Sequence, residues 1–128
     1  MKVGSILRQI VMDRIMAEVP ELGGRVYDKA VRTTPTPYVT LGPSDWTDDS
    51  ADCLEGRLLN LQVDIWAKDA AKGEAEDLLD DVSACLNGWD DTDALTMHPI
   101  RVSMARVLDD PDPDWVHGVV QLEITVEE

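Results

Sequence analysis

The sequence predicts an α+β fold: a mainly antiparallel β-sheet with two amphipathic helices packed on one face, in the order αβββαββ. Three observations predict it. Between Leu58 and Trp89 the apolar period changes once, from the two of a half-buried strand to the roughly three and a half of a helix. From His98 to Val126, two more alternating stretches flank a Pro- and Asp-rich turn, the pattern of a hairpin. At the other end, Val3 to Val19 repeats apolar residues every three or four positions, as a helix with one apolar face does.

Taken in order, the first helix carries Ile6, Leu7, Ile10, Val11, Ile15 and Met16, with Ser5 available as its N-cap and Pro20 and Gly23-Gly24 to end it. Arg25 to Val31 reads as a short strand. Pro35 and Pro37 then break the chain before a second strand at Tyr38 to Leu41, a placement that suits an edge or a strand start. Residues 43 to 56 gather Pro43, Ser44, Asp45, Asp48, Asp49, Ser50 and Asp52 around a lone Trp46, the composition of a mobile loop. Leu59, Leu61, Val63 and Ile65 mark the buried side of a strand over Leu58 to Ala67, about 33 Å long if extended. A helix from about Ala71 to Asn87 follows, with Ala75, Leu78, Leu79, Val82, Cys85 and Leu86 inward, acidic residues outward and Gly88 at its C-cap. The strand His98 to Leu108 is expected to turn Ile100, Val102 and Met104 to one side. The last strand, Trp115 to Val126, buries Val120, Leu122, Ile124 and Val126.

At 128 residues the chain is expected to form a single domain over 1–128, and a protein of this size buries about two thirds of the surface its unfolded chain exposes. No apolar run approaches the roughly 20 residues that span a bilayer, and Met1 to Gln9 lacks the apolar core of a secretory signal, so a soluble protein made inside the cell is expected. Cys53 and Cys85 sit in unlike contexts, an acidic loop and an apolar helix face, and no disulfide is expected.

The formal net charge of −15 comes from 26 acidic and 11 scattered basic residues. It argues against binding nucleic acid by phosphate neutralisation, which needs clustered Lys and Arg. An acidic surface mostly keeps a protein soluble; it also suits a wall that nucleic acid must pass without sticking.

Tests for chemistry give little. Asp109, Asp110, Asp112 and Asp114 offer oxygens for Ca²⁺, but two prolines interrupt them and no bidentate Glu follows at loop spacing. Asp45, Asp48, Asp49 and Asp52 lack the Gly that a calcium loop needs at its sharp turn. His98 and His117 open two strands that could be neighbours, yet neither has a Cys or carboxylate at ligand spacing. No serine has the Gly-x-Ser-x-Gly setting of a nucleophile, and Gly23-Gly24 does not open into a phosphate loop. The sequence therefore implies no enzyme, no cofactor and no metal. Trp66 lies on the strand side opposite Leu61 and Val63, where either the loop 43 to 56 covers it or it joins Trp46 and Trp115 in a subunit interface, a setting in which Trp is enriched.

Four short runs in order, Gly24-Arg25-Val26-Tyr27-Asp28, Pro37-Tyr38-Val39 with Leu41-Gly42, Val63-Asp64-Ile65-Trp66 before an amphipathic helix, and His117-Gly118-Val119-Val120 near the end, together resemble the tail-terminator or tail-completion family of long-tailed phages, prophages and gene transfer agents. The resemblance spans nearly the whole chain and implies a small α+β fold without catalysis. It implies a ring, usually of six copies, on the head-proximal end of the tail tube, which ends tube polymerisation and joins the tail to the neck of the capsid. The implied partners are other copies of the chain, the tail-tube protein and the neck or head-tail connector protein. DNA would pass through the lumen without specific binding, and no membrane is involved. The implied location is the bacterial cytoplasm during assembly, then the tail-head junction. Six copies multiply the net charge sixfold, and acidic residues lining the lumen would repel passing DNA.

The family carries no catalytic motif to transfer. Exposure logic alone nominates Trp46, Trp66, Trp115, Asp48, Asp49, Asp110 and Asp112 as interface residues, since loops on a rigid sheet often bind. Three other readings stand beside this one: a neck or head-completion protein, a small acidic monomeric binding or regulatory module, and a hydrolase built on His98 or His117 with an Asp.

Overall fold

The computed structural model describes residues 2–31, 33–51 and 54–127, and Cys53 lies outside them. The elements are α1 (Val3–Glu18), a short 3₁₀ turn (Pro20–Leu22), β1 (Val26–Tyr27), β2 (Tyr38–Asp48), β3 (Gly56–Lys68), α2 (Lys72–Leu86), β4 (Arg101–Asp109) and β5 (Trp115–Glu127). This is the expected α+β order. The sheet runs β1-β2-β3-β5-β4; every pair is antiparallel except β1 with β2.

Both helices lie on one face. Val3, Leu7, Val11 and Ile15 form a stripe at a spacing of four on α1, and Ala75, Leu78, Leu79, Val82 and Leu86 do the same on α2. Below them β3 supplies Leu59, Leu61, Val63 and Ile65, and β5 supplies Val120, Leu122, Ile124 and Val126, all in one core. Neither helix has a side-chain N-cap hydrogen bond. A good cap contributes about 1 kcal/mol, whereas each buried Val, Leu or Ile contributes about 1.5–3 kcal/mol. The apolar stripes therefore hold the helices in place. Ser5 is not the cap: it sits inside the first turn, and its hydroxyl donates to the carbonyl of Lys2. Met16 falls off the stripe and is exposed.

The helices are tied together by Arg14, whose Nε donates to the Cys85 carbonyl at 3.0 Å while its guanidinium lies 5.1 Å from the Trp89 ring centroid. Gly118 lets α2 sit close to the sheet. A Cβ there would stand 3.2 Å from Ile65 Cβ and 3.4 Å from Leu79 Cδ1.

Three expectations need correction. The first strand is only two residues long. Residues 43 to 48 are not loop, because β2 continues through a bulge between Leu41 and Ser44 and stays paired with β3 as far as Asp48 opposite Arg57. On β4, Val102 pairs with the inward Leu122 but Met104 pairs with the outward Gln121, since a second bulge between them shifts the register. Met104 thus faces away from Val102.

Candidate assembly surface

Beyond Leu41, β2 runs on as an exposed edge strand beside β3, and this stretch with the turn after it makes an acidic arm along the sheet edge. At its base Gly42 permits the bulge: a Cβ there would fall 2.5 Å from Asp64 Oδ2. Arg8 of α1 braces the same spot, donating to the carbonyl of Gly42 at 3.2 Å and the hydroxyl of Ser44 at 3.2 Å while pairing with Asp28 at 2.8 Å. Beyond the bulge β2 is exposed from Pro43 to Asp48, while its partners Leu61 and Leu59 on β3 stay in the core. Trp46 pairs with Leu59 on the helix side of the sheet yet is 54% exposed, with the Arg57 guanidinium 4.4 Å from its ring centroid.

At the end of β2, polar contacts tie Asp48 to Ser50, and Asp49 and Ser50 to Gly56, and Leu54 is exposed. Asp48 Oδ1 accepts the Ser50 hydroxyl at 2.6 Å and the Ser50 amide at 3.1 Å, which holds its carboxyl below the usual value. Ser50 Oγ accepts the Gly56 amide at 3.1 Å, and the Asp49 amide donates to the Gly56 carbonyl at 2.9 Å.

The sheet face away from the helices carries an aromatic cluster. Tyr38, Trp66 and His117 pair in one row across β2, β3 and β5, and paired side chains share a face. The His117 ring stacks on Trp66 with centroids 4.0 Å apart and an angle of 8°. Trp115 meets Trp66 and Tyr38 edge to face at 6.4 and 6.2 Å, and Tyr27 extends the group to β1. Trp66 Nε1 donates to Thr40 Oγ1 at 3.0 Å. Aromatic neighbours cover Trp66, not residues 43 to 56, and Trp115 is only 4% exposed.

Asp64 is a buried carboxylate beside this cluster. Its Oδ1 accepts His117 Nε2 at 2.7 Å and Gln62 Nε2 at 2.8 Å. Among the described residues no Ser, Thr or Cys hydrogen-bonds to either member of the pair. The adjacent cavity, about 180 Å³ and lined by Asp28, Tyr38, Thr40 and Trp66 among others, is below the roughly 300 Å³ of common ligand pockets. The arrangement positions a histidine and gives it no nucleophile to serve. His98 is elsewhere, 3.1 Å from Glu127 Oε1 near the opposite end of β5.

The acidic turn after β4 is similarly self-satisfied: Asp110 Oδ2 accepts the Asp112 amide, Asp112 Oδ1 accepts the Asp114 amide, and Asp109 pairs with Lys72 at 2.9 Å. No three His, Cys, Asp or Glu side chains converge among the described residues.

The seven nominated residues therefore fall in three places. Trp46, Asp48 and Asp49 are on the arm. Trp66 and Trp115 belong to the aromatic cluster. Asp110 and Asp112 lie at the far end of the sheet, because Gly56 pairs with Glu127 at one end of β3 and Lys68 with Trp115 at the other, roughly 40 Å away at about 3.3 Å per residue. Sequence reasoning missed a polar row on the outer face, Arg101-Glu123-Asn60-Asp45, which only the strand register brings together.

The described residues give a small sheet with an exposed arm and uncovered strand edges. The chain belongs to the Tail completion protein gp17 family, whose model matches residues 13–127. That family is one of structural tail proteins, not enzymes, and the chain is a structural protein of the phage-tail kind. Among solved structures it is similar to a chain from the virion of a native gene transfer agent (GTA) particle, with a TM-score of 0.84, 23% identity, and 99% of this chain and 98% of that chain covered. At that identity the likeness speaks to the fold. No curated protein matches the chain.

Proposed function

We propose that residues 1–128 act as one module that caps the head-proximal end of a phage-like tail tube as a ring, ends tube polymerisation and joins the tail to the neck. The observation that carries this reading is the arm. Trp46 is the largest of the apolar side chains left open among the described residues, and it stands on the acidic β2 edge; exposed Trp beside a polar rim is what a protein-protein contact uses. Family membership supplies the setting, a tail being completed. The proposed location is the bacterial cytoplasm during assembly and then the tail-head junction; the similar chain from the GTA virion is itself part of a particle. The partners are further copies, the tube protein and the neck protein. The −15 charge lets DNA pass through the ring without being held.

Removing the gene from particle-producing cells is expected to give tails of uncontrolled length that lack heads, and wild-type chain restores them. Trp46→Ala is expected to leave folding within about 0.5 kcal/mol of wild type, as exposed sites do, and to lower head-bearing particles at least tenfold. Correctly measured, firmly headed tails without the protein would overturn the reading.

A further inference from the structure

The outer face of the sheet carries one polar row from edge to edge. Arg101 on β4 pairs in register with Glu123 on β5, Glu123 with Asn60 on β3, and Asn60 with Asp45 on β2. The contacts follow the register: Arg101 Nη1 donates to Glu123 Oε2 at 2.8 Å, and Asn60 Nδ2 donates to Asp45 Oδ1 at 2.8 Å. The row therefore ends in a cation at one side of the sheet and an anion at the other.

Both ends are open. Arg101 keeps 72% of its side chain exposed, and Asp45 is exposed as well. β1 covers β2 only at Val39 and Thr40, and Arg8 occupies the carbonyls of Leu41 and Gly42, so among the described residues no strand covers the outer side of Asp45 to Asp48. Arg106 is a second exposed cation on the β4 edge, with no hydrogen bond or ion pair to its side chain among the described residues, but it stands level with Thr40 and so away from the arm. Asp48 and Asp49 continue the β2 edge in the opposite direction, so the charges matched at one height are Arg101 and Asp45. Basic residues are scarce in this chain, 11 against 26 acidic, and two of them stand on the edge opposite the acidic arm.

Strand directions are compatible with a side-by-side arrangement. β2 is antiparallel to β3, β3 to β5 and β5 to β4, so β2 and β4 run antiparallel. Two copies in the same orientation, related by rotation about an axis along the strands, bring β4 of one beside β2 of the next with Arg101 and Asp45 at the same height. From this geometry we infer that the ring contact is heterologous, with the β4 edge of one copy against the acidic β2 edge and arm of its neighbour, and Arg101 meeting the neighbour's Asp45. The occupant of each edge is a second copy of this chain. The inference rests on the ring reading above and adds which surfaces close it.

Arg101→Glu and Asp45→Arg are each expected to lower tails bearing the chain at least tenfold in particle-producing cells. The double variant is expected to return to within about threefold of wild type. Co-expressing the two single variants tests the same contact without any doubly altered chain. When the two variants alternate, one joint sets the acid introduced by Arg101→Glu against the base introduced by Asp45→Arg, and the next joint keeps the original pair of Arg101 and Asp45. Every joint is then of opposite charge, so incorporation is expected to recover. Thermal melting of each purified variant checks that folding is intact. Single variants that incorporate normally, or a double variant and a mixture no better than the singles, would overturn the inference. Absence of the wild-type chain from tube ends, read by antibody labelling in the same experiment, would sink the ring reading itself.

Discussion

His117 Nε2 lies 2.7 Å from Asp64 Oδ1, and Asp64 is 6% exposed, the one buried charged residue among those described. A carboxylate only accepts, so the Nε2 position carries the proton and the imidazole is the donor to Asp64. This joins the third strand to the fifth diagonally, beside the register pair Trp66 and His117. The pair is a fixed element of the outer face, where a solvated surface would ordinarily be expected.

His117→Ala is therefore expected to be costly. It removes a donor from a buried carboxylate, which costs about 1–3 kcal/mol, and leaves Trp66 without its stacking partner, worth about 0.5–1.5 kcal/mol, so a loss of about 2–4 kcal/mol is expected. Urea unfolding of the purified protein measures it. A loss under 0.5 kcal/mol would mean that the pair contributes nothing to the fold.

Gly118→Ala probes the seat of the second helix. The added Cβ would press on Ile65 and Leu79, at 3.2 and 3.4 Å, and overpacking of this kind costs about 1–3 kcal/mol. The companion change Leu79→Ala in the Gly118→Ala background relieves the contact with Leu79, so the combined loss should fall short of the sum of the two single losses. Strict additivity in denaturant titrations would show that the helix does not approach there.

Cys85 gives a pH prediction. Burial pushes its thiol up from 9.0 to about 11, while Arg14 nearby pulls the other way, and its Sγ–H contacts the Val82 carbonyl at 3.2 Å. The folded value is the higher one, so between pH 9 and 11 the unfolded chain loses this proton while the folded chain keeps it. The stabilising contribution is complete below pH 9 and disappears as pH rises through about 11. In a Cys53→Ser background, stability should fall across that window, and Cys85→Ala should flatten the fall; alkylation at about pH 8 should be slow until denaturant is added. Rapid labelling of the native protein would contradict the burial.

Much of this architecture was legible because its period is strong. The third strand, the second helix and the last strand bury one face each, and Leu61, Val82 and Ile124 announce that face by spacing alone. The arm was not legible. Residues 44 to 48 are exposed on both sides, so no alternation marks them, and Gly42-Pro43 reads as a break when it is a bulge in a continuing strand. The face of Met104 was lost for the same reason, since a one-residue shift at Ser103 inverts the side-chain phase. The outer cluster needed register as well: Tyr38, Trp66 and His117 come from three separate stretches, and nothing local pairs them. Of the nominated contact residues, the tryptophans were found by residue type, but type alone could not separate exposed Trp46 from enclosed Trp115. The charged row from Arg101 to Asp45 has no motif, being a property of alignment between strands.

The edge at β4 has one more consequence. The amide of Val102 is occupied by Asn87 Oδ1 at 3.0 Å, and the bulge just after it bends the strand. A stray strand meets a crooked, partly occupied border there instead of a straight run of donors and acceptors, which keeps free molecules from stacking into open-ended ribbons. Whatever joins across that border must do so through side chains, and such joints loosen as salt rises.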